Sequence, residues 1–287
     1  MQRETLKRSA AEPSPPIRVD LAVDHPGFHD PVYRARRDEL AALASAHLPG
    51  SRVAEVAYSC GEHATWRRIV DTLLPHHRRF ACSALVEQTD ASGSFDGPIP
   101  QFEALNRGPL RCTGFRFEPV AGLVDSRTFF AGLARGVFLS TQYLRHPARP
   151  FYTPEPDVVH ELVGHAASFA IPAIADLNRQ FGRAAASADG ERLLQLERLY
   201  WYSMEFGLVL EQGRPRAFGA GLLSSVDELQ RACTERALEE FDAEVVARTP
   251  YDPARMNDRL FVAPSLKALL DATQAWIAGS TLHANRA

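Results

Sequence analysis

Apolar residues along the chain recur mostly at helical spacing, with few short alternating runs. Leu40, Leu43 and the alanines beside them predict a helix over 33–47, ended by Pro49-Gly50. Trp66, Ile69, Val70, Leu73 and Leu74 make a core-facing stripe that Pro75 should interrupt, and a second helical stretch is expected over 78–87. Residues 89–100 are rich in Gly, Ser, Asp and Pro and read as an exposed loop. Phe115 to Val120 alternates like a short strand, with Gly122 as the turn residue after it. A helix is predicted over 126–144, with Phe129, Leu133, Val137, Phe138 and Leu144 available for burial and His146-Pro147 as its stop. Further helices are predicted over 177–186, over 191–212 with Gly213 as terminator, and over 264–277, where Leu266, Leu269, Leu270 and Trp276 share one side. The fold class that follows is mainly α with a small β component.

Composition narrows the setting. With 287 residues and 45% hydrophobic content, the chain can bury a large core. A net charge of −3 and a pI near 6.4 give no global field for nucleic acid or acidic lipid. No apolar run approaches the roughly 20 residues of a membrane helix, and no apolar h-region opens the chain, so a cytoplasmic setting is expected. Cys60, Cys82, Cys112 and Cys233 are scattered without a CxxC and suggest neither a zinc site nor a disulfide framework. Residues 1–16 are polar and broken by Pro13, Pro15 and Pro16, which predicts a disordered tail; residues 17–287, without internal repeat, are expected to form a single domain.

Candidate chemistry concentrates in the run from Pro154 to His165. Pro156 disfavours helix in the residue before it and Asp157 can cap the donors that follow, so a helix should start there with His160 in its first turn. His160 and His165 lie five apart, which an ideal helix would separate by roughly 140° at about 100° per residue. This differs from the HExxH zinc-protease spacing, where two histidines four apart share one face. Convergence here requires the helix to loosen, and Gly164 permits it. Glu161 points away from the bisector. Glu205 sits among bulky residues from Leu199 to Leu210, where an ionised carboxylate is expensive unless a cation meets it. Two imidazoles and one carboxylate on one face of an octahedral ion describe non-haem Fe(II) oxygenases. Spacing alone also allows a plain structural role, a zinc hydrolase with Glu161 activating water, or a non-catalytic metal- or amino acid-binding protein.

Several segments then act together: Tyr143-Leu144-Arg145-His146, Tyr152-Thr153-Pro154-Glu155-Pro156-Asp157, His160-Glu161-Leu162-Val163-Gly164-His165, Tyr200-Trp201-Tyr202-Ser203-Met204-Glu205-Phe206-Gly207, and Gly219-Ala220-Gly221-Leu222-Leu223-Ser224-Ser225. In this order and near these intervals they resemble the pterin-dependent aromatic amino acid hydroxylases, most of all the bacterial single-domain members acting on phenylalanine. The resemblance runs from about Trp66 to Val262. It implies that family's catalytic-domain fold, Fe(II) as metal, tetrahydropterin as cosubstrate, O2 as oxidant, and a monooxygenase that hydroxylates L-phenylalanine, by default at the para position to give L-tyrosine. It assigns the metal ligands to His160, His165 and Glu205. Gly122, Val124, Ser126, Phe129 and Glu161 align with the pterin site.

Substrate contacts follow from the same resemblance. Arg145 is the candidate for the carboxylate, since a guanidinium can hold it by two parallel hydrogen bonds, and Asp157 can orient it; a surface ion pair is its plain alternative. Thr153, Gly221 and Ser224 match positions near the substrate backbone, and Pro156, Trp201 and Phe206 match the ring pocket. Members acting on phenylalanine resemble this chain in carrying tryptophan at Trp201, where tryptophan hydroxylases have a smaller ring. The partner expected is therefore a small aromatic amino acid, with no nucleic acid and no membrane, in a monomer or small homo-oligomer. Ala166-Ala167-Ser168-Phe169 and the run 252–260 depart from the family pattern, the first expected to alter packing close to the metal. Both leave meta-hydroxylation open beside para.

Overall fold

The structure, a computed structural model, describes residues 20–93, 95, 97–153, 155–253 and 257–284. The expected tail over 1–16 lies outside them. Helix α1, Pro31–Ser45, starts where Asp30 accepts from the backbone N–H groups of Val32 and Tyr33 at 2.9 and 3.0 Å. Helix α2, Cys60–Phe80, starts at a reciprocal cap between Ser59 and Glu62. It does not stop at Pro75. That ring lies on the exposed face, while Trp66, Ile69, Val70, Leu73, His77 and Phe80 stay buried on the other. Packing on both sides of the proline outweighs the roughly 3 kcal/mol it costs a helix interior.

The helix expected over 78–87 is split. Ala81 bridges to Ala217 and Cys82 N–H donates to its carbonyl at 2.8 Å, so α3, Ser83–Ser92, begins after a break. The polar run after it is only partly a loop surface, because Phe95 and Ile99 are buried. Helix α4, Phe102–Arg107, leads to strand β1, Arg116–Pro119, and then to α5, Ser126–Ala134, capped by Asp125. Here the predicted helix to residue 144 fails. Gly136 takes a φ of +73°, and strand β2, Val137–Ser140, pairs parallel with β1. The β-branched and aromatic Val137 and Phe138 bury equally well in a strand, and only the left-handed glycine marks the switch.

The chain then enters a π-helical segment, His160–Ala166, which continues through the short α6, Ala167–Phe169. Helices α7, Pro172–Ala186, and α8, Gly190–Tyr200, follow, and α8 passes into a second π-helical segment, Trp201–Glu205. Residues 208–212, expected as helix, instead begin a hairpin: β3, Leu208–Glu211, pairs antiparallel with β4, Arg214–Ala217, across Gln212-Gly213, both at positive φ. Gly213 thus turns a hairpin and does not end a helix. After α9, Ala220–Leu223, and α10, Val226–Thr234, come β5, Glu239–Glu240, α11, Ala243–Arg248, β6, Phe261–Ala263, and α12, Leu266–Ala284. The second sheet has the order β4-β3-β6-β5. One apolar cluster runs from Val53 to Ile277, and Leu40, Val56 and Tyr143 form a satellite beneath α1. Among the described residues no helix is long and apolar enough to cross a membrane.

Candidate active site

The two π-helical segments carry the three candidate ligands. In a π-turn the hydrogen bonds run from i to i+5, so residues five apart stack where an α-helix would divide them. His160 Nε2 and His165 Nε2 accordingly stand 3.2 Å apart. Glu205 offers Oε1 at 3.2 Å from His165 Nε2 and Oε2 at 3.5 Å from His160 Nε2. The donors all fall within 4.8 Å of one another. Donors about 2.1 Å from one ion stand roughly 3.0 Å apart at octahedral angles and about 3.4 Å apart at tetrahedral ones, so the spacing fits a shared ion.

Glycines set this convergence by admitting close neighbours. A Cβ on Gly164 would lie 2.7 Å from the Ala220 carbonyl oxygen, so the metal segment packs directly on α9. A Cβ on Gly221 would meet the Phe206 ring at 2.6 Å and the Glu205 carbonyl oxygen at 3.0 Å. The expectation that Gly164 serves by loosening the helix is therefore incomplete: the missing side chain is also what lets α9 approach.

Charge supports the same reading. Burial pushes His160 down to about 4, against the pull of Glu205, so the imidazole is neutral near pH 7. For Glu205 burial pushes the pKa up, but the imidazoles of His165 and His160 hold it below the usual carboxylate range. A buried anion beside a neutral imidazole is the donor set that a cation completes. Ser224 Oγ lies 3.1 Å from His160 Nδ1 and 3.2 Å from the Gly221 carbonyl oxygen. His160 Nδ1–H can donate to the hydroxyl and the hydroxyl to the carbonyl, which leaves the Nε2 lone pair aimed at the centre.

His160 and Glu205 open onto a cleft of about 480 Å3. Of the other residues singled out in the sequence, Ser126, Phe129, Arg145, Thr153, Pro156, Trp201, Phe206, Gly221 and Ser224 line it. Gly122 and Val124 lie on the loop before α5 but are not on the cleft wall, where Leu123 stands instead. Glu161 is also off the wall. Its Oε1 accepts from Thr141 N–H at 3.2 Å, and burial drives its pKa well above the ordinary carboxylate range. A buried acid turned to a backbone amide is not placed to activate water on the metal, which removes the geometry a zinc hydrolase would need. Of the divergent run Ala166-Ala167-Ser168-Phe169, Ala166 and Ala167 border a small void against α3, while the Phe169 ring stacks on the candidate ligand His165 with centroids 5.8 Å apart, so part of the run does pack beside the centre.

Arg145 is no surface ion pair. Its side chain is 3% exposed, that of Asp157 is fully buried, and the two meet by Nε to Oδ2 at 2.9 Å and Nη2 to Oδ1 at 2.7 Å. Nη1 donates to the Ser224 carbonyl at 3.2 Å. Also lining the cleft, Trp201 stacks on Tyr251, with ring centroids 4.4 Å apart, and packs on Phe206 at 4.6 Å. Tyr251 was not singled out from the sequence. Its signal was an aromatic residue held between Pro250 and Pro253, which fixes a ring on an otherwise irregular segment.

A mostly helical fold with a two-histidine, one-glutamate centre beneath an aromatic cleft defines a non-haem metal oxygenase class of site. The family model described as biopterin-dependent aromatic amino acid hydroxylase matches residues 15–282, and the chain belongs to that family. It is 46% identical over 228 residues to the chloroplastic phenylalanine 4-monooxygenase of Chlamydomonas reinhardtii, covering 78% of this chain and 62% of that protein. It is 39% identical over 264 residues to human tyrosine 3-monooxygenase, covering 90% and 50%. The chain thus spans less than two thirds of the length of these curated relatives. Among solved structures it is similar to Chromobacterium violaceum phenylalanine hydroxylase with bound iron(III) and oxidised cofactor 7,8-dihydrobiopterin, at 32% identity and a TM-score of 0.71 over 79% of this chain and 84% of that one. The iron- and phenylalanine-bound form of that protein matches at 31% identity and a TM-score of 0.69, over 77% and 84%.

Proposed function

We propose that this protein is an Fe(II)- and tetrahydropterin-dependent monooxygenase that hydroxylates the ring of L-phenylalanine, by default at the para position to give L-tyrosine. The observation that carries the proposal is that His160, His165 and Glu205 converge in a cleft whose walls offer both a buried guanidinium and a stack of aromatic rings. Iron and pterin are supported by the bound groups of the C. violaceum protein, and phenylalanine by that protein's ligand and by the name of the algal relative. Residues 17–287 act in this reading as one catalytic unit, a reading supported by the large apolar cluster that runs from Val53 to Ile277, in a cytoplasmic monomer or small homo-oligomer.

His160, His165 and Glu205 would hold the iron, which when bound supplies, with the reduced pterin as two-electron donor, the oxygen activation that closed-shell rings cannot provide. Ser224 keeps the His160 tautomer that presents Nε2. Arg145, preset by Asp157, takes the substrate carboxylate, with Thr153 and Gly221 beside the substrate backbone. Trp201, Phe206 and Pro156 enclose the ring and exclude water from it. Phe129 gives a stacking face for the pterin and Ser126 a polar edge, with Gly122, Val124 and Glu161 supporting that end from outside the wall.

The test is one reaction. Purified protein with Fe(II), tetrahydropterin and O2 is given phenylalanine, and products are separated against para- and meta-tyrosine. Para-tyrosine, lost when a ferrous chelator is added, is expected. Meta-tyrosine would overturn the regiochemistry, and faster turnover of tryptophan or tyrosine the substrate. No pterin-dependent oxygen uptake with any aromatic amino acid would overturn the function.

A further inference from the structure

Stacking on Tyr251 and packing against the tilted Phe206 ring fix the plane of the Trp201 indole but leave it free to slide or rotate within that plane. A hydrogen bond removes that freedom: indole Nε1–H donates to Asn257 Oδ1 at 2.7 Å. The indole is a donor only, so the Asn257 amide must turn its oxygen toward it. That orientation leaves Nδ2 buried without a hydrogen-bond partner among the described residues. A buried donor without an acceptor is costly, and the orientation that carries this cost is the one that holds Trp201. Asn257 is itself anchored, being 7% exposed with its carbonyl accepting from Arg236 Nη1. The indole is thus tied, through one amide, to the segment that follows α10.

We propose that Asn257 is a specificity-determining positioning residue. By fixing the Trp201 indole it sets the depth of the ring slot, which favours a single six-membered ring over a bicyclic one. The inference rests on the reading of Trp201 as a wall of that slot. Asn257 touches no reacting atom and acts only through Trp201.

Two measurements test it. The chain has three tryptophans, Trp66, Trp201 and Trp276, so protein labelled with 5-fluorotryptophan gives a 19F spectrum in which the Trp201 line is identified by its loss in Trp201→Phe. In Asn257→Leu that line should shift or broaden while the other two hold, and in Asn257→Asp, which keeps an acceptor, it should remain sharp. An unmoved Trp201 line in Asn257→Leu overturns the proposal. Because this reading needs no turnover, it stands apart from any failure of the proposed reaction. In turnover, Asn257→Leu should lower the phenylalanine-to-tryptophan ratio of kcat/KM by about three- to tenfold. In a Trp201→Phe background, where no indole N–H remains, the same substitution should change that ratio by less than about twofold. An equal change in both backgrounds would show that Asn257 acts by another route and would also overturn the proposal.

Discussion

Ser224 Oγ stands 3.1 Å from His160 Nδ1, and the carbonyl of the same residue accepts Arg145 Nη1 at 3.2 Å. One residue at the end of α9 therefore touches both the metal side and the substrate side of the cleft, through its hydroxyl for the first and its backbone for the second. The two roles are separable by mutation.

Ser224→Ala removes the hydroxyl and leaves the carbonyl. Loss of an outer partner to a ligating imidazole commonly costs 10- to 100-fold in metal affinity or activity. Ferrous affinity, measured by competition with a chelator, should fall by about that factor, while the KM for phenylalanine should move by less than about threefold. An unchanged iron affinity would show that the hydroxyl does not orient His160.

The close contact of Gly164 with α9 makes a second prediction. In Gly164→Ala the new methyl carbon would sit 2.7 Å from the Ala220 carbonyl oxygen, and backbone on both sides leaves little room to give. Overpacking of this kind costs about 1–3 kcal/mol, read as a lower urea midpoint at unchanged slope. Because α9 carries Gly221 and ends beside Ser224, iron retention should fall along with stability. A variant as stable and as iron-replete as the parent would count against the contact.

How much of this was legible in the sequence depends on the range of the determining contacts. The helical stripe of α2 and the cap at Asp157 are local, and they read correctly, whereas the cap at Asp30 is equally local and starts α1 two residues before the expected Tyr33. The run after Ala134 and the run after Glu205 are as apolar as a helix core, but their partners, β1 for one and β4 and β6 for the other, decide for strand. The three ligands are marked by residue type and motif, although the π-helical path that unites them has no periodic signature. Ser224 was assigned to the substrate backbone; its hydroxyl contact with His160 spans 64 positions and leaves no local trace. Asn257 stands out in the sequence only as part of a divergent loop, because its bond to Trp201 likewise exists only in three dimensions.

Arg145 and Asp157 form a buried bidentate pair, and breaking such a pair leaves one charge uncompensated. Asp157→Ala should destabilise the fold by about 3–5 kcal/mol, measured by chemical denaturation. It also removes the acceptor for His160 N–H at 3.2 Å, so iron binding should weaken. Arg145→Lys keeps the charge but not the fork. It should raise the KM for phenylalanine by roughly a hundredfold, since hydrogen bonds to a charged group are each worth about 1.5–3 kcal/mol, with a smaller change in kcat. If kcat alone fell, the role of Arg145 in substrate binding would be wrong.

His77 gives a pH dependence of stability whose sign can be worked out. Its Nε2–H donates to the Leu223 carbonyl at 2.6 Å, and burial pushes its pKa down from 6.5 to about 4 in spite of that bond. Between those values the unfolded chain binds the proton and the folded chain does not. Stability from this group is therefore complete above about pH 6.5, declines as the pH falls, and is exhausted near pH 4. The full swing is on the order of 3 kcal/mol. His77→Gln keeps a donor for Leu223 but cannot titrate, so the difference in unfolding free energy between parent and variant should change with pH across that window and be flat above it. Leu223 precedes Ser224, so acid should loosen the end of α9 before the rest of the helical core, and amide exchange at residues 220–224 should rise earlier in the parent than in His77→Gln. Parallel stability curves for the two proteins from pH 7 to pH 4 would show that His77 is not the group responsible.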